Sequence, residues 1–140
     1  MIYSIDVRIE APVNDTEVTD RVADAVSNVF PNAECSHQEG RLVGETHTLD
    51  PFSDLLHEQE ILDTARREFH KDADSEGFQF ALKKQAAFQG VINFAVGNPD
   101  ELGDIEVAVT VREPAVESMI DIVTPPTEEG TPVDPESMTE

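Results

Sequence analysis

Cysteine is nearly absent: the 140-residue chain holds one, Cys35. No internal disulfide can form, so the core must be built without staples. A lone thiol of this kind reads as a small strand residue. Tryptophan is missing, tyrosine occurs once, and only nine residues are basic. No apolar run approaches the roughly 20 residues of a membrane-spanning helix. The opening, Met1–Glu10, lacks the basic region and long apolar stretch of a secretory leader. These absences predict a cytoplasmic protein with no membrane role.

Chemical signatures are missing too. The phosphate-binding patterns GxxxxGKS/T and GxGxxG do not occur, nor does the GxSxG elbow or the HExxH zinc motif. His37, His47, His57 and His70 stand far apart in sequence. The reading is therefore a non-enzyme with no cofactor and no metal. Paired carboxylates carry no weight here, because 30 Asp and Glu bring some together by chance.

Acid is what the chain has. Its formal net charge is −21. The acids are scattered over helix faces and turns, which fits a solvated surface suited to very high salt. The other reading of that charge is a nucleic-acid mimic or a binder of basic partners. One stretch escapes the acidity: Gly77 to Pro99 contains no Asp or Glu and holds Lys83 and Lys84 side by side. Such a gap is either buried or faces something negative.

The hydrophobic pattern predicts the elements. Ile5, Val7 and Ile9 alternate with Asp6, Arg8 and Glu10, a half-buried strand over residues 2–10. Asn14 and Glu17 form a capping-box pattern ahead of a helix over 15–30, with Val18, Val22, Val26 and Val29 on its apolar side. Strands follow over 33–38 and 41–49 around a Glu39–Gly40 turn, with Gly44 marking a bulge or close approach. Asp50 and Pro51 open a long helix to about residue 70. Strands at 78–82, 91–96 and 104–111 come next, with a helical turn at 83–89, a turn at 98–101 and a last helix over 114–123. These elements predict an α+β fold: a two-layer sandwich, a mainly antiparallel sheet with helices packed on one face. Residues 1–123 form the single domain, and the acidic, proline-rich stretch 124–140 reads as a disordered tail.

The candidate site comes from the basic residues. Arg66, Arg67, Lys71, Lys83 and Lys84 are more than half of the nine. Cations in a helix's last turn complement its dipole, yet this clustering exceeds that need. Gln59 and Arg66 fall on the apolar arc of the long helix with Phe52, Leu55, Leu56, Leu62, Ala65 and Phe69. There Arg66 either ties down loop carbonyls or belongs to a polar site. Lys and Arg meet phosphates, amides such as Gln59 and Gln85 read base edges, and exposed rings stack on bases. Phe78, Phe80 and Phe88 are rings of that kind or core residues.

Two blocks, LDPFSDLLHEQEILDTAR at Leu49–Arg66 and FQFALKKQAAFQGVINF at Phe78–Phe94, resemble the archaeal uncharacterised protein family 0201. RNA binding is attributed to that family. The resemblance spans about residues 2–123, and the acidic composition is similar to that of a haloarchaeal member. It implies an α+β sandwich like that of the large-subunit ribosomal protein that holds 5S RNA. It also nominates Gln59, Arg66, Lys84 and Gln85. The pattern departs from the family at His57, Glu58 and Glu60, where basic residues are usual around the glutamine.

The resulting expectation is an RNA-binding protein acting through Gln59, Arg66, Arg67, Lys71, Lys83, Lys84 and Gln85. The alternative is an interaction or structural module of a halophile, marked by an apolar patch or an unpaired strand edge. Its partners would be an RNA or a second copy in a homodimer.

Overall fold

The protein is described by a computed structural model over residues 3–14, 17–95, 103–125, 127–128 and 131–132. Five antiparallel strands form one sheet: β1 (Ser4–Pro12), β2 (Glu34–Gln38), β3 (Arg41–Thr46), β4 (Gly77–Lys83) and β5 (Asp104–Glu113), in the order β2-β3-β1-β5-β4. Five helices pack against it: α1 (Thr19–Val29), α2 (Asp50–Glu58), α3 (Leu62–Lys71), α4 (Lys84–Ala87) and α5 (Val116–Val123). The expected α+β architecture is the one observed.

Period-2 alternation selects the buried face. Ile5, Val7 and Ile9 of β1 share it with Phe78, Phe80 and Leu82 of β4 and Ile105, Val107 and Val109 of β5. On it lie Val22, Ala25, Val26 and Val29 of α1, and Phe52, Ala65, Phe69, Met119 and Ile120 of the other helices. Six phenylalanines form the centre; Phe69 sits 4.7 Å from Phe80 and 4.8 Å from Phe78 between ring centroids. The rings at 78 and 80 are therefore core residues. Among the described residues no helix covers the other face, where Arg8, Gln79, Glu106 and Thr110 are exposed.

Several boundaries differ from the sequence expectation, each for a local reason. The first helix begins at Thr19, and Val18 is 61% exposed. Asn14 and Glu17 form a turn ahead of it, where the Glu17 carboxylate accepts from the Asn14 N–H (3.0 Å) and amide (2.8 Å). The long second helix is two helices. Glu60 adopts a left-handed φ of 57°, and the Ile61 N–H donates back to the Leu56 carbonyl. The break lets α3 change direction and bring Leu62, Ala65 and Phe69 onto the core. Of the strand expected at 91–96, the described residues 91–95 form no regular strand, only an isolated Leu82–Phe94 bridge with two backbone hydrogen bonds linking residues 93 and 95 to β4; residue 96 lies outside the described residues.

The Glu39–Gly40 turn is as expected, with both residues at positive φ, as a tight two-residue hairpin requires. Gly44 is a close approach: a Cβ there would stand 3.1 Å from Cys35 Sγ. Thr124 is buried and belongs to the domain, bonding the Ile120 carbonyl. Beyond it, Thr127–Glu128 pairs with Thr131–Pro132. Apart from Pro125, the rest of the predicted tail, and the turn at 98–101, lie outside the described residues.

Candidate nucleic-acid interface

The sequence-predicted residues separate into internal ties and surface groups. Gln59, which ends α2, donates to the Gly90 carbonyl at 3.0 Å and accepts from the Ile92 N–H at 2.9 Å. Its amide thus pins the 90–92 segment to the α2–α3 corner. Arg66 reaches from α3 to α5, donating to the Thr124 carbonyl (3.0 Å) and pairing with Asp121 (2.6 Å). Of the two readings of Arg66, the carbonyl tie is the one present.

Lys84 is fully buried. Its Nζ donates to the Pro12 carbonyl at 2.6 Å and to Glu17 Oε1 at 2.7 Å. Burial pushes the Glu17 carboxyl up, but hydrogen bonds from Lys84 and Asn14, with the Lys84 charge, outweigh it and hold the carboxyl below its ordinary value. This ammonium is a cross-brace between β1, the α1 entry and α4, enclosed by protein. A phosphate contact at Lys84 is therefore corrected to an internal role: a cation with no solvent access cannot meet a phosphate. Arg66 and Lys84 share no partner and form no common surface site.

Arg67, Lys71 and Gln85 are exposed and Lys83 is half-buried. Lys71 pairs with Glu68 at 3.1 Å. It also lines a cleft of about 410 Å³ that runs over the β4 edge onto the uncovered sheet face. Alanines 81, 95 and 108 contribute to the lining, along with Arg8, Lys71 and Gln79 and the acids Glu10, Glu68, Asp72 and Glu106. Gln59, Arg66 and Lys84 are not part of it. Lys83 lies two residues beyond Ala81 in the same outward phase of β4. Its lining offers one amide and two cations beside four carboxylates.

The site assignment missed Arg8. Its signal was available: it occupies the outward phase of β1, between Val7 and Ile9. Arg8 and Arg41 converge on Glu10 at 3.4 and 3.2 Å. Asp6 is held below the ordinary carboxylate range chiefly by its hydrogen bond from Arg112, whose Nε lies 2.8 Å away. No group of three or more metal-ligating side chains occurs among the described residues, nor any helix long and apolar enough to cross a membrane.

Residues 6–112 match a family model described as RNA binding. A UPF0200/UPF0201 protein of Archaeoglobus fulgidus is 34% identical over 131 residues, covering 93% of this chain; the chain spans 40% of that relative's length. The UPF0201 protein of Methanopyrus kandleri is 36% identical, with 86% of this chain and 85% of the relative covered. The crystal structure of a UPF0201 protein from Methanococcus jannaschii superposes with a TM-score of 0.85 at 31% identity, covering 92% of this chain and 99% of that one. The family match spans strands β1 to β5 and includes the cleft, and on that basis this chain belongs to the UPF0201 family.

Proposed function

We propose that this protein is a non-enzymatic RNA-binding protein of a high-salt cytoplasm, with its RNA surface at the β4-edge cleft and the adjoining cations. The observation that carries the reading is the convergence of Arg8, Lys71 and Gln79 on one cleft in a chain matched by an RNA-binding family model. Arg67, next to the lining residue Glu68, and Lys83, two residues beyond Ala81, are the further phosphate contacts of this reading. Gln79 is the amide in the cleft, and the exposed Gln85 is a second amide outside its lining. The site expected from sequence thus keeps Arg67, Lys71, Lys83 and Gln85 and gains Arg8 and Gln79. Gln59, Arg66 and Lys84 hold the scaffold. Four carboxylates also line the cleft. At 1 M salt the screening length is about 3 Å, so their repulsion of phosphate is confined to direct contact.

The test is filter retention of total RNA at molar KCl by wild type and by Lys71→Glu/Lys83→Glu. Wild type should retain RNA and the double variant at least about tenfold less, because each phosphate contact adds to the electrostatic term. Equal retention, or none by either protein, refutes the reading in favour of a structural module without nucleic-acid binding.

A further inference from the structure

The two edges of the sheet are treated differently. At β4, the Lys83 N–H donates to the Asn93 carbonyl at 2.8 Å and the Ala95 N–H to the Ala81 carbonyl at 2.9 Å, so residues 93–95 cover that edge. At the opposite edge, β2 pairs only with β3 among the described residues, and all five of its residues are exposed. Its sequence, Glu-Cys-Ser-His-Gln, carries no proline and no lysine, and its pairing with β3 has no bulge. These are the usual devices that keep edge strands from pairing with another chain.

The register of the hairpin determines which groups β2 presents. Gln38 and Arg41 flank the two-residue turn and pair with each other. Alternation from that pair aims the backbone groups of Glu34 and Ser36 at β3 and those of Cys35 and His37 outward.

From this geometry we propose that β2 pairs antiparallel with β2 of a second copy about a two-fold axis at Ser36, giving a continuous ten-stranded sheet. In that register Cys35 opposes His37 of the partner subunit, and the two exchange both backbone hydrogen bonds. Glu34 opposes Gln38 of the partner subunit, so a carboxylate meets an amide and no like charges face each other. Sliding by two residues loses pairs, and sliding by four sets Glu34 against Glu34 of the partner subunit. An isologous contact of this kind closes as a dimer. Two copies at −21 each repel strongly at low salt, and molar salt screens that repulsion to about 3 Å. The dimer therefore forms at high salt and dissociates as salt falls. It is independent of RNA binding.

Light scattering at molar KCl should give twice the 15.4 kDa chain mass, falling to one chain mass at low salt. His37→Pro removes an outward N–H without touching the β3 pairing, and should be monomeric with unchanged circular dichroism. The register is read by cross-linking in a Cys35→Ser background. Opposed non-hydrogen-bonded Cα atoms lie about 4.5 Å apart, within disulfide reach. Ser36→Cys should therefore give a covalent dimer under mild oxidation, and Gln38→Cys should not. A monomer at molar KCl overturns the proposal. So does a dimer that survives His37→Pro, or one that Ser36→Cys fails to cross-link.

Discussion

Replacing Lys84 with methionine distinguishes a brace from a ligand. The substitution keeps the apolar stem and removes two hydrogen bonds from the ammonium, to the Pro12 carbonyl at 2.6 Å and to Glu17 at 2.7 Å. It leaves Glu17, whose side chain is 8% exposed, charged without its cation. Glu17 Oε2 has no hydrogen-bond partner among the described residues even in the wild type, so none of these supplies a donor in place of the ammonium. Removing one member of a buried pair costs about 3–5 kcal/mol. Two charge-assisted hydrogen bonds at about 1.5–3 kcal/mol each give an overlapping range of about 3–6 kcal/mol. For a domain of this size the melting temperature should fall by roughly 10–15 °C.

The pH dependence carries the sign. In the wild type the Glu17 carboxyl titrates below its ordinary value of 4.5. Its contribution is present in full above that value and lost as pH falls through the lower, folded-state value. In Lys84→Met, the hydrogen bond and charge of Lys84 are gone, burial is opposed only by the Asn14 hydrogen bonds, and the folded-state value rises. The variant's deficit should therefore shrink as the solution is acidified toward and below 4.5. Adding Glu17→Gln removes the stranded charge while keeping an acceptor for Asn14, and should restore more than half of the loss at neutral pH. Thermal melts at molar KCl, at neutral and acidic pH, give all three numbers. A Lys84→Met protein that melts like the wild type but loses RNA retention would refute the brace and return Lys84 to the surface. A double variant no better than the single one would show that the stranded carboxylate is not the cause.

Gly77→Ala tests the β4–β5 pairing: a Cβ at 77 would sit 1.8 Å from the Val109 carbonyl oxygen, a backbone atom that cannot turn aside. Strand separation should cost about 3 kcal/mol in denaturant titration, the upper range for overpacking. Arg66→Met loses the Asp121 pair and the Thr124 carbonyl bond in a partly exposed setting, so melts should show about 1–2 kcal/mol of destabilisation. RNA retention should be unchanged, and a selective loss of retention would make Arg66 a ligand.

The fold was legible where pattern and packing agree. β1 and β5 alternate because one face of the sheet is buried and the other open, and Glu39–Gly40 announces its own turn. The long helix was misread because the arc from Phe52 to Phe69 looks continuous. Nothing local marks the left-handed Glu60, and the amide that stabilises the corner, Gln59, is matched to residues 90 and 92 far along the chain. Lys84 fails for the same reason. Its partners are 72 and 67 residues away, so its burial is a tertiary fact that adjacency to Lys83 conceals. The same pair shows the limit of reading charge as a run: β4 ends at Lys83, and one residue later the chain turns its next side chain inward.

Cations, not acids, are the informative residues of this chain. Arg8 and Arg41 hold Glu10, Arg66 holds Asp121, Lys71 holds Glu68, Lys84 holds Glu17 and Arg112 holds Asp6. Most of the nine basic side chains thus each meet an acid. The proposed interface includes two of these pairs, so its charge is largely internally compensated before RNA arrives. A phosphate must then displace a carboxylate from Arg8 or Lys71 rather than fill a vacant site. An exchange of partners releases fewer ions than fresh neutralisation, so affinity should fall with salt much less steeply than the number of contacted cations implies. That is the behaviour required of an RNA-binding surface working in molar salt. A full slope of about 0.7–0.9 per cation would show that the pairs are not kept in solution.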